Sequence, residues 1–388
     1  MSDAAVISPN GLRERLRAPG ELALLDVRDL EAYRAGHLLW AAHVAPDQLD
    51  LVPALIPRRA TPIVLTEATS SSVRGLRDRG YTAVVRLAGG NAGWTADGGR
   101  LYAKLCVPSK ALAEQARAAY GTPELGVDEL SADHVVVDVR TEAEYAAGTI
   151  PGALSCPGGE LVHRALDALG ARTAPVVVTC AGRTRAIFGA QTLRDAGVLD
   201  VAFLRGGTSA WVASGRTLEV GAARRLEGRG ATVAREASAR LVERFAIRVL
   251  DRATLAGWLA DTARTTYLID PRSPAPPTAH PLARAIPGGQ LVEAVDEFIA
   301  VRGARVVLLD EAPFTRAIPL ARWLEQLGVF AVAVASGADA RTLAGDPAAP
   351  PASAAAAADP TAWSEALPAQ LADEPGVALK HFPAAVAA

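Results

Sequence analysis

The chain is poor in several residue types, and each shortage argues against a class of protein. Its 388 residues include three cysteines, too few and too odd a number for a disulfide framework, so we expect a reducing compartment. The six histidines show no metal-ligand spacing. No apolar run reaches membrane-spanning length, and the first twenty residues lack the apolar centre of a secretory signal. We therefore expect a cytoplasmic protein without a metal or a membrane anchor.

Charge of either sign is not in excess. Forty basic and 42 acidic residues leave a net charge of −2, so the composition gives no attraction to nucleic acid or to an acidic membrane. Lysine occurs only at positions 104, 110 and 380, and we attribute this preference for arginine to a GC-rich genome. No glycine-rich nucleotide loop is present, and we expect no cofactor.

Half of the residues are hydrophobic, and the most informative apolar run ends in a cysteine. Residues 175–179 predict a buried strand, residues 180–185 (Cys-Ala-Gly-Arg-Thr-Arg, the cysteine loop) a turn, and the next residues a helix. Backbone N–H groups and the dipole at a helix N-terminus favour an anion. Together with Arg183 and Arg185, they are expected to lower the pKa of Cys180 from about 8.5. The sequence therefore predicts a nucleophilic thiolate.

Further motifs surround the cysteine loop in a fixed order. They are an Asp-Val-Arg strand end at 138–140, a Gly-Thr-Ile-Pro-Gly-Ala turn at 148–153 and a Gly-Gly-x3-Trp ending at 206–211. In this succession the chain resembles the rhodanese family of sulfurtransferases, whose members usually have histidine in place of Thr149. The resemblance implies a catalytic Cys180 that carries sulfur as a persulfide.

The resemblance also implies a substrate and a mechanism. The Cys180 thiolate would take the outer sulfur of thiosulfate or a similar small anionic donor, and a thiol, cyanide or a sulfur-carrier protein would then accept it, in a ping-pong reaction. Backbone N–H groups would hold the persulfide anion, and Arg183 and Arg185 would orient the sulfonate. The substrate-binding residues would be the rest of the cysteine loop: Ala181, Gly182, Arg183, Thr184 and Arg185.

Two other functions compete with this one. In the first, the chain is a sulfur-relay or binding module that takes sulfur from a partner protein, with its cysteine-free copies as docking surfaces. In the second, it is a rhodanese-like hydrolase or reductase of phosphate or arsenate. By resemblance, rhodanese-like phosphatases have one residue more than the four between Cys180 and Arg185. The loop length therefore favours sulfur transfer.

Residues around the loop have supporting roles in this hypothesis. For Asp138 and Arg140, at the same rim as the cysteine, a structural salt bridge or turn contact is favoured over a catalytic pair. Arg185 either touches the substrate or braces the loop against an acid, and both remain open. Cys156 is either a half-buried small residue, which we favour, or a resolving thiol that forms a disulfide with Cys180.

The unit around Cys180 is the middle one of three copies. The Asp-x-Arg strand end recurs at 26–28 and 270–272, and the Gly-Gly-x3-Trp ending recurs at 89–94. Repeats about a hundred residues apart are whole domains rather than solenoid units. Because strands and helices alternate, the predicted fold is α/β: three tandem rhodanese-like domains, each a mainly parallel sheet flanked by helices on both faces. The ligand site then lies beyond the C-terminal strand ends.

The repeats also set the predicted domain boundaries. They are a first domain at 5–104, a connector at 105–120 that contains Cys106, a catalytic domain at 121–216, a linker with helical patches at 217–245, a third domain at 246–345 and an Ala/Pro-rich tail at 346–388. The first helix is predicted over 10–17, with Ser8 or Asn10 as its cap. Glu67 and Glu311 replace the cysteine in the outer copies, which are therefore predicted to be inactive in sulfur transfer.

Overall fold

The computed structural model describes residues 4–170, 174–228, 231–272 and 283–343, and the predicted tail at 346–388 lies outside them. Within these ranges the chain forms three β-sheets flanked by helices. The predicted α/β fold with mainly parallel sheets is thus confirmed. None of the described helices is both long and apolar enough to cross a bilayer.

The first sheet has the strand order β1-β5-β4-β2-β3. Its elements are β1 (Val6–Ile7), α1 (Pro9–Arg17), β2 (Leu22–Asp26), α2 (Leu30–Ala35), β3 (Ala41–His43), α3 (Val52–Leu55), β4 (Ile63–Glu67), α4 (Ser70–Asp78), β5 (Val84–Leu87) and α5 (Gly90–Ala96). All five residues of β2 are buried, as expected for a parallel strand covered on both faces. Ser8 caps α1 by accepting a hydrogen bond from the Gly11 N–H, as predicted.

The middle sheet repeats this order as β6-β10-β9-β7-β8. The chain first forms α6 (Val107–Tyr120), and then β6 (Glu124–Leu125), β7 (Val135–Asp138), α7 (Glu142–Ala147), β8 (Leu154–Ser155), α8 (Leu166–Gly170), β9 (Val176–Thr179), α9 (Thr184–Asp195), β10 (Val201–Leu204) and α10 (Gly207–Ala213). The strand β9 is buried along its whole length and lies at the centre of the sheet. Its C-terminal end therefore delivers Cys180 to the rim at which parallel sheets bind ligands.

The third sheet has the equivalent order β11-β16-β15-β12-β13. Its copy contains α11 (Ala231–Phe245), β11 (Val249–Leu250), α12 (Arg252–Ala260), β12 (Thr266–Asp270), β13 (Arg284–Ala285), α13 (Gly288–Glu293), α14 (Val295–Phe298), β14 (Val301–Arg302), β15 (Arg305–Asp310), α15 (Ala317–Gln326), β16 (Ala331–Ser336) and α16 (Gly337–Leu343). The short strand β14 of this copy lies outside the third sheet and pairs antiparallel with β2 of the first sheet. The third copy thus extends the sheet of the first.

Two segments predicted as a connector and a linker contain long helices. Most of 105–120 is α6, which packs against α9, α13 and α14. The second half of 217–245 is α11, which packs against α15. Because α6 is buried on most of its surface, it has little of the amphipathic pattern that identifies a surface helix.

The middle and third copies meet through equivalent turns. Gly158 and Gly159 follow Pro157, just as Gly288 and Gly289 follow Pro287. A Cβ atom at Gly159 would lie 3.0 Å from the Cα of Gly288, and one at Gly288 would lie 3.2 Å from the Cα of Gly159. The contact is therefore reciprocal, as in an isologous dimer interface, and it leaves no room for a side chain between the two backbones.

Candidate active site

Cys180 lies directly after β9 and is 1% exposed. Its Sγ atom accepts hydrogen bonds from the backbone N–H groups of Gly182 and Ala186. Ala186 belongs to the first turn of α9, so the N-terminus of this helix is directed at the sulfur. The structure therefore brings together the strand end, the loop and the helix dipole in the predicted arrangement.

The acidity of the thiol differs from the sequence-based expectation. The pKa of Cys180 is raised to about 11, chiefly because the thiol is buried and also because the carboxylate of Glu293 lies nearby. The charge of Arg185 and the two backbone N–H groups act in the opposite direction. The expectation of a lowered pKa was wrong because desolvation disfavours the thiolate more than these groups favour it.

Arg185 is held on both sides by acidic and amide groups. Its Nη1 and Nη2 atoms donate to the Glu144 carboxylate, each over 2.8 Å. Its Nε atom lies 2.8 Å from Glu293 Oε2, and Nη1 donates to Gln290 Oε1 over 3.0 Å. The charge and hydrogen bonds of Arg185 hold the pKa of Glu144 at about 2, although burial alone would raise it. Two interpretations were open for Arg185, contact with the substrate or bracing of the loop against an acid. This geometry agrees with the second.

Arg183 is also paired with carboxylates. Its Nε atom lies 2.7 Å from Glu114 Oε1 on α6, and its Nη2 atom lies 3.6 Å from Glu124. Its guanidinium group stands 5.6 Å from the centre of the Phe203 ring. Both loop arginines are therefore paired with carboxylates.

Asp138 and Arg140 form the salt bridge that was favoured for them. Arg140 Nη2 lies 2.7 Å from Asp138 Oδ2, and both side chains are buried. The Thr149 hydroxyl, at the position where the family usually has histidine, donates to the same Oδ2 atom over 2.7 Å. Equivalent aspartate–arginine pairs lie at 26–28 and 270–272 in the outer copies. Because the pair recurs in copies without the cysteine, its role is to fix the strand end.

Cys156 lies too far from Cys180 for a disulfide. It follows β8, whereas Cys180 follows β9, and β7 runs between these strands with Asp138 as the register partner of both Ser155 and Thr179. Two strand spacings amount to roughly 10 Å, while a disulfide needs Cα atoms within about 7 Å. Burial also raises the pKa of Cys156 to about 12. The geometry thus agrees with the favoured interpretation of a small residue without a redox partner, except that Cys156 is fully buried and not half-buried.

In the outer copies carboxylates bind backbone N–H groups around the equivalent of the cysteine loop. Glu67 accepts a hydrogen bond from the Asn91 N–H over 2.8 Å, and the counterpart of this donor in the middle copy, the Thr208 N–H, binds the Cys180 carbonyl group. In the third copy, Asp310 Oδ2 accepts the N–H groups of Arg316 and Ala317 over 2.9 and 3.2 Å, and Oδ1 accepts the Glu311 N–H. Ala317 corresponds to Ala186 of the middle copy. In the third copy, an internal carboxylate therefore binds the N–H group whose counterpart in the middle copy binds the sulfur.

Sequence reasoning did not find the acids that surround the loop arginines. Glu114 lies in the predicted connector, and Gln290 and Glu293 lie in the third copy. Only one signal was available: the repeated Pro-Gly-Gly of 157–159 and 287–289 marks the two turns that meet. Nothing in that repeat tells which side chains the contact brings to Cys180.

Comparisons with known proteins support this arrangement. The family model described as a rhodanese-like domain matches residues 8–97 and 122–214. The crystal structure of a thiosulfate sulfurtransferase from Pseudomonas aeruginosa is 39% identical to this chain and has a TM-score of 0.81, with 90% of this chain and 69% of that chain covered. The chain belongs to the rhodanese family. Its resemblance to that family, inferred from the motifs, is thereby confirmed. Because the match covers 90% of this chain, it includes most of the third copy.

Two other solved structures match less of the molecule. A Rhodopseudomonas palustris protein of unknown function, described as a possible tyrosine phosphatase, is 28% identical over 29% of this chain and 93% of its own, with a TM-score of 0.26. A 3-mercaptopyruvate sulfotransferase from Escherichia coli is 20% identical over 56% and 98%, with a TM-score of 0.25. A search of the curated proteins found no match.

Proposed function

We propose that this rhodanese-family protein is a sulfurtransferase that moves a sulfane sulfur through a persulfide on Cys180. The observation that carries the proposal is the pair of hydrogen bonds from the Gly182 and Ala186 N–H groups to the Cys180 Sγ atom. These donors stabilise negative charge on a sulfur at the N-terminus of α9. The name of the Pseudomonas aeruginosa relative supports the same class of reaction.

In the proposed reaction, Cys180 loses its proton and attacks the outer sulfur of thiosulfate or a similar small anionic donor. A sulfur–sulfur bond forms to Cys180, the donor's own sulfur–sulfur bond breaks, and sulfite leaves with that electron pair. A thiol or cyanide then attacks the terminal sulfur, and Cys180 departs as the thiolate. The backbone N–H groups of the cysteine loop stabilise the charge on sulfur in both half-reactions.

One observation favours the relay as a second candidate function. Each loop arginine is paired with carboxylates, Arg183 with Glu114 and Arg185 with Glu144 and Glu293. A site neutralised in this way attracts a dianion such as thiosulfate less than two unpaired arginines would. A persulfide on a sulfur-carrier protein carries less charge at the reacting atoms, so it is less affected by this pairing.

The test compares the wild type with Cys180→Ser in thiosulfate-to-cyanide sulfur transfer and in peptide mass spectrometry. We expect the wild type to form thiocyanate and to carry one extra sulfur of about 32 Da on the Cys180 peptide, removable by a reductant. The serine variant should show neither, whereas Cys106→Ser, which removes another buried thiol, should show both. A wild type that takes up sulfur from a protein persulfide but not from thiosulfate would favour the relay.

A further inference from the structure

The guanidinium group of Arg185 is clamped between two copies of the fold. Glu144 on α7 binds it from within the middle copy, and Glu293 and Gln290 on α13 bind it from the third copy. Arg185 itself is 4% exposed and is the second residue of α9. The next residue, Ala186, supplies one of the two N–H groups that hold the Cys180 sulfur. The third copy therefore contacts the helix turn that forms the sulfur site.

The opposite side of the same interface offers a natural comparison. There Arg316, the counterpart of Arg185, has its Nε atom 2.8 Å from Glu160 Oε2 of the middle copy. Close by, His163 Nδ1 lies 2.7 Å from the Thr315 hydroxyl. Glu160 has the position in its glycine turn that Gln290 has in the other, so each turn supplies a partner to an arginine of the other copy. Of these two arginines, only Arg185 adjoins a cysteine loop.

Glu293 differs from Glu144, the other acidic partner of Arg185, in its exposure to solvent and in the copy of the fold to which it belongs. It is 8% exposed, and its charge acts directly on the Cys180 thiol. It thus contributes in two ways: it holds Arg185, and it places a negative charge from another domain beside the sulfur. The side chain of Glu144 is 33% exposed and belongs to the same copy as Cys180.

We propose that Glu293 is a positioning residue of the active site, through which the cysteine-free third copy fixes Arg185 and the N-terminal turn of α9 against Cys180. Its carboxylate fixes the Nε side of the guanidinium group, and Gln290 fixes Nη1. Because Ala186 follows Arg185 directly, this clamp keeps the Ala186 N–H directed at the sulfur. The catalytic unit is then the middle and third copies together.

The experiment compares Glu293→Gln with Glu160→Gln, which breaks the interdomain ion pair between Glu160 and Arg316, away from Cys180. It has two readouts: kcat and KM for thiosulfate, which rest on the proposed function, and the rate of Cys180 alkylation by iodoacetamide, which does not. In Glu293→Gln we expect kcat to fall about tenfold with KM unchanged, because the reacting sulfur is misplaced while the groups that bind thiosulfate are kept. Alkylation at a given pH should become about tenfold faster, because one negative charge beside the thiol is removed.

Glu160→Gln should behave as the wild type in both readouts. The proposal is overturned if Glu293→Gln also behaves as the wild type, or if both variants change alike, since the interface would then act only through stability. Gln290→Ala provides a second route if Glu293→Gln does not fold: it should lower kcat a few-fold and leave alkylation unchanged, and an unchanged kcat would contradict the proposal. If the wild type lacks thiosulfate activity, the proposed function fails, and the alkylation rates still test whether Glu293 of the third copy acts on the Cys180 thiol.

Discussion

The reactivity of Cys180 depends on a balance between burial and the charges around one sulfur atom. Burial and the Glu293 carboxylate oppose ionisation, while Arg185 and two backbone N–H groups favour it, and the result is a pKa of about 11. Loop motifs reveal the favourable groups, because they are local. Burial depends on the third copy and the surrounding core, so the sequence around position 180 cannot show it.

This balance predicts the pH dependence of alkylation. Since thiolate is the nucleophile, the reaction of Cys180 with iodoacetamide should rise about tenfold per pH unit from pH 7 to 10, without the plateau that an ordinary thiol shows near its pKa of about 8.5. Time courses resolved by peptide mass spectrometry would separate Cys180 from the other two cysteines. A plateau below pH 8 would show that the helix N-terminus outweighs burial.

Among the elements, the start of α10 is fitted against the cysteine loop. The Thr208 and Ser209 N–H groups donate to the carbonyl groups of Cys180 and Ala181 over 2.8 and 3.1 Å. Gly207 has a φ of +52°, and a Cβ atom there would lie 2.1 Å from the Cys180 carbonyl oxygen. The second glycine of the Gly-Gly-x3-Trp motif is therefore required by a close approach between backbones.

We expect Gly207→Ala to displace the cysteine loop. The clash should lower the free energy of unfolding by about 2–4 kcal/mol and abolish thiocyanate formation. Gly215→Ala, just beyond the other end of α10, is the matched control: its φ is +81° and no atom lies within 4 Å of the added Cβ, so the cost should be about 1 kcal/mol with activity retained. Urea denaturation and the cyanide assay measure both effects. Equal losses in the two variants would argue against the close approach as the cause.

For the helices and strands, the sequence predicted features that depend on neighbouring residues and missed those that depend on contacts between distant residues. The cap of α1, the strand before Cys180 and the three Asp-x-Arg strand ends were read from neighbouring residues, and the structure contains them. The pairing of β14 with β2 joins residues 301–302 to residues 22–23, and two-residue strands have no periodicity to detect. The same reason applies to Glu293, whose contact with Arg185 depends on how two copies pack.

For the whole molecule, the third copy is bound to both of the others. It contributes β14 to the first sheet and α13 to the active site, and α14 packs against α6 and β3. Asp296 on α14 is 4% exposed, and its Oδ1 atom has no hydrogen-bond partner among the described residues. Burial raises the pKa of Asp296 to about 6. The charged carboxylate of Asp296 in this interface therefore lowers the free energy of unfolding at neutral pH.

This destabilisation by Asp296 should make the free energy of unfolding depend on pH. Because the folded pKa exceeds the unfolded value of 3.8, the native state binds the proton more tightly, and the stability contribution falls as pH rises from about 4 to about 6. Asp296→Asn should raise the free energy of unfolding by about 3 kcal/mol at pH 7.5 and by about half as much at pH 5. Thermal denaturation at both pH values tests this, with the exposed Asp50→Asn as control. A gain that does not depend on pH would rule out titration of Asp296 as its origin.

The carboxylate of Asp310 bears on any attempt to engineer a second active site into this chain. Replacing Glu311 with cysteine would restore a thiol at the right place in the sequence. The Ala317 N–H group, the counterpart of the Ala186 donor, would still be bound to Asp310. The counterpart of the Gly182 donor is Pro313, which has no N–H group. Giving the third copy both donors therefore requires three substitutions: Glu311→Cys, Asp310→Thr (the residue found before Cys180) and Pro313→Gly. Because no one of these changes is sufficient alone, a cysteine site of this kind is hard to gain in a single evolutionary step.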